Sequence, residues 1–316
     1  MQNRIIDDIY INIPESADYK ISARKNDLFD GLKKNELINV LRIMHLSRAI
    51  DERAMKLLKQ GKTFFHMESG GHEAVQTAFG LSIKRGIDWA FPYYRDLSFM
   101  LSMGIKPEKI FIHLLARKDD LMSGGRQMPC HWGDKELNIP SQSSPTGTQF
   151  LQAVGTAMAN KKNGINAVTY VSSGEGTTSE GEFFEAVNWA SREKLPVVFV
   201  IQNNKWAISV PVENQNAGKN GSVAELLKGF ENLYRQRIDG TDFLVSNAAA
   251  VSAIKYARSG KGPALVEADV VRLGSHSSSD DQRKYRQAEH LEDEQERCPL
   301  KQFSTLLIKN NILTEL

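Results

Sequence analysis

Cysteine is almost missing from this sequence. Only Cys130 and Cys298 occur among 316 residues, which excludes a disulfide framework and fits a reducing compartment. Long hydrophobic runs are missing too, since no stretch approaches the ~20 apolar residues that a bilayer-spanning helix needs. Behind Met1, Asp7, Asp8 and Asn12 break up any signal-peptide pattern, and no transit peptide is recognisable, so a cytoplasmic protein without membrane contact is expected. Neither sign of charge is in excess. With 40 Lys and Arg against 38 Asp and Glu, the formal net charge is +2, which offers nothing to attract nucleic acid. Internal repeats and low-complexity linkers are absent. What is there is an ordinary globular composition, 41% hydrophobic and 25% charged, enough for a sizeable core. The length suits one large α/β domain and leaves no comfortable room for a second of similar size.

Residues 1–34 read as an irregular, partly extended N-terminal arm, and 35–316 as a single α/β domain with helical flanks. Leu37, Val40, Leu41 and Met44 recur at helical spacing, which predicts a helix running to about Gln60 and ended by Gly61. Further helices are expected over 71–85, over 107–117 with Lys106-Pro107 as start signal, over 149–161 and over 298–309. Strands are expected over 167–171, 197–201 and 263–271. Residues 118–140 read as a polar loop, and 272–286 as a hydrophilic loop that a ligand or partner would order.

The stretch 174–209 carries the chemistry. After the first strand, Gly174 and Gly176 let the backbone turn tightly and approach a ligand, and a helix is expected straight after them. Ser179-x-x-Glu182 has the spacing of a capping box, and Phe183, Ala186, Val187 and Ala190 form one inward face. Free N–H groups and a positive dipole end beside a glycine loop favour an anion. The next strand, Val197-Val198-Phe199-Val200-Ile201, shows no polar alternation, as expected of a parallel strand covered on both faces. It leads into Asn203-Asn204. Glu175 and Asn204 are separated by 29 residues, one strand-helix-strand repeat, so both loops fall beyond the carboxyl ends of neighbouring strands, where open α/β sheets bind ligands. A carboxylate and an amide oxygen are hard ligands that suit Mg²⁺ shared with phosphates. Taken singly, each feature has a plainer reading: a helix-dipole cap for Glu175, a strand-end turn for Asn203-Asn204, core aromatics for Tyr93 and Tyr94, a solvated ion pair for Arg95-Asp96.

The pattern resembles the α subunits of thiamine-diphosphate-dependent 2-oxoacid dehydrogenases, of the branched-chain and pyruvate type. Seven colinear motifs carry the resemblance over residues 37–286: Gly71-His72-Glu73-Ala74, Phe91-Pro92-Tyr93-Tyr94-Arg95-Asp96, Gly125-Arg126-Gln127-Met128-Pro129, Ser143-Ser144-Pro145, Gly174-Glu175-Gly176, Asn203-Asn204-x-Trp206-Ala207-Ile208-Ser209, and His276-Ser277-Ser278-Ser279-Asp280-Asp281. The resemblance implies a thiamine-diphosphate-binding α/β fold with a mostly parallel sheet flanked by helices. It implies oxidative decarboxylation of a 2-oxoacid and reductive acylation of a lipoyl group on an acyltransferase core. It places Glu175, the Asn204 side chain and the Trp206 carbonyl on Mg²⁺, and Tyr94 and Arg95 on the diphosphate. Gly174, Gly176, Thr177, Ala207 and Ile208 fall in the same cofactor-binding set. Main-chain groups of Ser144 and Thr146 meet the aminopyrimidine, and Ser143, Pro145, Thr148 and Gln149 match a K⁺ site used by some relatives. His276 matches the active-site histidine. Phe65, Tyr94, Met128 and His131 match substrate-pocket positions, and His131 is a second catalytic candidate whose equal alternative is a packed loop histidine.

An activating glutamate comes from a second polypeptide in this family, so the resemblance implies a β partner in an α₂β₂ assembly and an inactive isolated chain. Many such subunits continue past the equivalent of residues 312–314; ending at Leu316 fits a short form or the α half of a fused αβ polypeptide. Glu175, where most thiamine enzymes have aspartate, and the serine and aspartate run after His276 tilt the reading toward a branched-chain acid, with pyruvate or acetoin as alternatives. Trp206 replaces the usual tyrosine, which matters little if only its carbonyl coordinates. Gln202 stands where some relatives place a basic residue, which implies one missing charge-assisted bond and weaker cofactor affinity. Two readings of other kinds are a non-catalytic scaffold of the same fold and a generic nucleotide-binding domain. Against an ATP site, no Walker lysine follows the Gly174 loop.

Overall fold

The computed structural model describes the backbone of Tyr10–Asn12, then Phe29 and residues 31–314. Most of the expected N-terminal arm lies outside the described residues. The strands are β1 (Tyr10–Asn12), β2 (Trp89–Phe91), β3 (Thr169–Gly174), β4 (Val197–Asn203), β5 (Trp206–Ala207), β6 (Val210–Pro211), β7 (Tyr234–Asp239) and β8 (Ala264–Asp269). Six of them form one sheet in the order β1-β7-β8-β4-β3-β2, parallel throughout except for β1, which pairs antiparallel with β7. β5 and β6 make a separate hairpin. Helices are α1 (Lys34–Lys59), α2 (Glu73–Ser82), α3 (Leu97–Ser102), α4 (Pro107–Leu114), α5 (Thr148–Lys162), α6 (Gly181–Arg192), α7 (Val223–Leu226), α8 (Phe243–Arg258), α9 (Ala288–Glu296) and α10 (Pro299–Lys309).

The apolar run of β4 explains the two-sided architecture. All seven of its residues are buried, with Val198 and Val200 in one apolar cluster and Val197, Phe199 and Ile201 in the other. Each face of a strand thus meets its own helical layer, the arrangement that parallel sheets require. The first layer includes Met44 of α1, Phe79 of α2, Phe99 of α3, Tyr256 of α8 and Phe303 of α10. The second is built from α5 and α6. There Phe183, Ala186, Val187 and Ala190 are fully buried as the helical spacing predicts, and the Phe183 ring packs 5.0 Å from that of Phe150.

Several boundaries differ from the sequence expectation. The glycine loop does not open directly into a helix: Glu175–Ser179 forms a 3-10 turn, and α6 begins at Gly181. The capping box does not form, because the N-cap is Glu180 without a side-chain cap, and the Ser179 hydroxyl donates instead to the Gln215 carbonyl at 3.2 Å. Nor does Gly174 turn tightly; it is extended, with φ −77° and ψ 164°. α2 starts at Glu73, two residues late, since Gly71 adopts φ +101° and brings its Cα against the Val271 carbonyl. α3, α7, α8 and α9 lie outside the expected helices. α8 buries a face of mostly small residues, Phe243, Ala249, Ala250, Ala253, Ile254 and Ala257, within a sequence apolar on nearly every side, and α9 has no buried residue. β7, Tyr-Arg-Gln-Arg-Ile-Asp, is too polar to read as an interior strand.

Replacing Phe183 by Ala should cost about 3–5 kcal/mol by leaving a cavity between α5, α6 and β4. Chemical denaturation should show a lower midpoint with an unchanged slope.

Candidate active site

Because β3 and β4 run parallel with Gly174 opposite Gln202, the loops that leave their carboxyl ends are neighbours. Between them opens a cleft of about 240 Å³, walled by Gly174, Glu175, Gly176, Thr177 and Glu180 on one side and by Asn204, Trp206, Ala207 and Ile208 on the other. Tyr93, Tyr94, Arg95, Thr146 and His276 close it. The two loops touch: a Cβ on Gly176 would fall 2.5 Å from that of Ala207, which only glycine avoids. A Cβ on Gly174 would meet no protein atom, so the cleft keeps open space there.

Glu175 is 1% exposed. Its Oε2 accepts the Asn204 backbone N–H at 3.2 Å, whereas its buried Oε1 has no hydrogen-bond partner among the described residues. Burial raises its pKa. An orphaned carboxylate oxygen in a cleft wall is costly unless a cation or donor satisfies it. The neighbouring oxygens are hard ligands with few competitors: among the described residues the Asn204 Oδ1 accepts only the Trp206 N–H at 3.2 Å, and the Trp206 carbonyl accepts one long bond from Arg272 Nη1 at 3.5 Å. Among the described residues no group of three or more His, Cys, Asp or Glu could hold a metal; this donor set has one carboxylate, one amide and one main-chain oxygen.

Arg95 is buried and, among the described residues, makes no ion pair. Its guanidinium donates to the carbonyls of Glu68 and His276, the latter at 3.0 Å, and lies 5.5 Å from the Tyr94 ring centre. The solvated Arg95-Asp96 pair is thereby replaced by two buried residues with separate partners. Asp96 faces the interior, where Ser172, Tyr170 and Gln202 donate to it. Gln202 is equally internal: it accepts from Gln76 at 2.9 Å and lies 2.9 Å from His72 Nδ1. Gln202 does not line the cleft; its side chain is spent on Asp96, Gln76 and His72.

His276 is held by its main chain, its N–H donating to Asp280 at 2.8 Å and its carbonyl accepting from Arg95. Its ring stands edge-on to Tyr94, centres 6.2 Å apart. Burial, helped by the charges of Arg95 and Arg272 and opposed by Asp280, lowers its pKa to about 4. The imidazole is therefore neutral at pH 7. The loop around it is pinned by Ser278, whose N–H donates to the His66 carbonyl at 2.9 Å. Arg272, which the sequence reading missed, binds the Ile208 carbonyl at 3.1 Å and the Tyr285 hydroxyl at 2.8 Å, joining the His276 loop to the Asn204 loop. A charged residue directly after an apolar strand was the available signal.

The other expected positions separate into groups. Ser143, Ser144, Gln149 and His131 line a small cavity of about 20 Å³ that adjoins the cleft through Tyr93, Tyr94 and Thr146. The Ser143 and Thr148 hydroxyls bond to each other, and Thr148 donates to the Pro145 carbonyl at 3.1 Å, so three oxygens converge. Gln149 is engaged elsewhere, with Gly147 and Ser172. His131 donates from Nδ1 to the carbonyls of Met128 and Pro129. Phe65 packs against the apolar core and Met128 is 48% exposed; neither lines the cleft.

The family model described as "Dehydrogenase E1 component" matches residues 41–316. A 2-oxoisovalerate dehydrogenase subunit alpha of Bacillus subtilis is 37% identical over 285 residues, 90% of this chain and 86% of that protein. The pyruvate dehydrogenase E1 component subunit alpha of the same organism is 32% identical over 285 residues, covering 90% and 73%. A 3-methyl-2-oxobutanoate dehydrogenase subunit alpha of Mycobacterium tuberculosis is 35% identical over 265 residues, covering 84% and 68%.

NMR titration of labelled histidines should find His276 with a midpoint near 4. Since the unfolded chain binds that proton more tightly, His276 should cost stability as pH falls from about 6.5 toward 4. A midpoint at the ordinary value would mean that water reaches the ring freely.

Proposed function

This chain belongs to the dehydrogenase E1 component family, and on that premise we propose that it is the α subunit of a branched-chain 2-oxoacid dehydrogenase of the 2-oxoisovalerate type. It acts with thiamine diphosphate and Mg²⁺, in an α₂β₂ assembly whose β subunit completes the cofactor site. The acyl group passes to a lipoyl group on an acyltransferase core. The observation that carries this reading is the orphaned Glu175 Oε1, one βαβ unit from Asn204 and in the same cleft as the unpaired Arg95.

The residues present fit the cofactor. Bound thiamine diphosphate supplies the carbon nucleophile and the electron sink for decarboxylation. Glu175, the Asn204 Oδ1 and the Trp206 carbonyl hold Mg²⁺, and Arg95, whose planar fork suits phosphate oxygens, takes the diphosphate together with Tyr94. The free space at Gly174 leaves room for close approach. Ser144 and Thr146 meet the aminopyrimidine through main-chain groups, and the oxygens of Ser143, Pro145 and Thr148 hold K⁺, with Gln149 bracing the loop. His276, neutral and adjacent to Tyr94, exchanges a proton with the reacting oxygen. His131, whose Nδ1–H is held by the Met128 and Pro129 carbonyls, lines the substrate side with Nε2 left for the reacting group, and Phe65 and Met128 contribute to the acyl pocket once the β subunit covers that face. The branched-chain acid is favoured over pyruvate by the relatives' identities, 37% against 32%, and by the glutamate at position 175.

Calorimetry of thiamine diphosphate with Mg²⁺ into the chain plus its β partner should show binding that the chain alone lacks. Glu175→Ala and Asn204→Ala should weaken it by at least the ~10–100-fold that even a supporting residue of a metal site costs. Unchanged affinity in these variants would remove the metal assignment, and no binding by the native pair would favour a scaffold. Turnover on 2-oxoisovalerate above that on pyruvate is expected; the reverse order assigns the chain to pyruvate. His276→Ala should keep the cofactor and slow lipoyl acylation about 10²–10⁴-fold. Full activity in that variant would make the histidine structural.

A further inference from the structure

A second concave site lies on the sheet, outside the cleft, between α7 and β7. It encloses about 260 Å³ and is lined by Lys219, Lys228, Arg235 and Arg237, with Glu225 as the only acid among the described residues that line it. The cations are not equivalent. Arg237 is already engaged by Asp269, 2.8 Å away, which also takes Lys205. Arg235, by contrast, is 8% exposed and donates through Nη1 to the Ala224 carbonyl at 2.6 Å, and among the described residues no carboxylate lies within ion-pair distance of it. Burial lowers its pKa, with Glu225 alone opposing. Lys219 and Lys228 are exposed at the cavity and likewise lack an ion-pair partner among the described residues.

A nearly buried guanidinium without a counter-charge is costly, and two further cations converging on the same cavity raise that cost. An anion entering the cavity removes it. The charge at the floor is recessed, which a broad macromolecular face could not reach and a small ligand can. The volume is below that of most drug-sized sites, so the ligand is compact and carries two or more negative charges. We infer that the cavity between α7 and β7 binds a small phosphate-type anion through Arg235, Lys219 and Lys228. No such role follows from the proposed decarboxylation, and the inference does not rest on it.

The probe is inorganic phosphate, titrated calorimetrically into the full chain at constant ionic strength. Binding in the millimolar range or tighter is expected. The Lys219→Ala/Lys228→Ala variant changes two exposed residues and keeps the fold; it should bind phosphate about tenfold more weakly, or lose one equivalent if the cleft also takes phosphate. Glu225→Gln removes the one lining acid and should tighten binding. Unchanged stoichiometry and affinity in the lysine variant would overturn the assignment, as would the absence of phosphate binding by the native chain or weaker binding by Glu225→Gln.

Discussion

The register of the parallel sheet is the constraint on which the rest depends. Gly174 pairs opposite Gln202, and Asn203 opposite Asp269, so three strands end at one edge and their loops emerge side by side. β3 and β4, whose ends carry the two cleft loops, are buried on both faces, and slipping either by one residue would exchange its two faces between different helical layers. The hydrophobic packing of β4, with Val198 and Val200 on one side and Val197, Phe199 and Ile201 on the other, therefore also sets the approach of Glu175 to Asn204. A core interaction and a site geometry are the same fact seen at two places along the strand.

Beneath the cleft lies a polar network that a hydrophobic core would not ordinarily tolerate. Asp96, fully buried, accepts from Gln202, Ser172 and Tyr170, and burial raises its pKa to about 6 despite those donors. Gln202 continues the network to His72 and Gln76, and Gln76 in turn donates to the Arg95 carbonyl at 3.0 Å. The Tyr93 N–H donates to Ser172, and the Trp132 indole to the Tyr93 carbonyl. The segment 93–96 is held from below through both its side chains and its backbone, which places the Arg95 guanidinium without an ion pair among the described residues. Because every donor in such a network needs its acceptor, the network also specifies one arrangement of β3, β4 and α2.

The cleft is electrostatically divided. Among the described residues Glu175 presents an unsatisfied oxygen on one wall, while near the other burial, helped by the positive charges of Arg95 and Arg272, keeps His276 neutral. A ligand that brings a cation and an anion together answers both walls at once, which neither a metal nor a phosphate alone would do.

Much of this was legible in the sequence. The continuous apolar strand, the helix face beginning at Phe183, and the spacing between Glu175 and Asn204 required only periodicity and the rule that ligands sit beyond parallel strand ends. Other parts were hidden for identifiable reasons. α9 has no buried residue, and β7 carries Arg235, Gln236, Arg237 and Asp239 among its six positions, so neither carried a hydrophobic signal. The capping box at Ser179 was a local preference that lost to the 3-10 turn and to a contact with Gln215. Sequence alone determined the α/β class, the order of the loops and the chemical character of the cleft, because these follow from short-range pattern. Which groups are left without partners was decided only by the tertiary structure. The Glu175 oxygen without a hydrogen-bond partner and the Arg95 and Arg235 guanidiniums without an ion pair, all among the described residues, and the diversion of Gln202 into the interior depend on neighbours far away in the chain, whose distances no local pattern encodes.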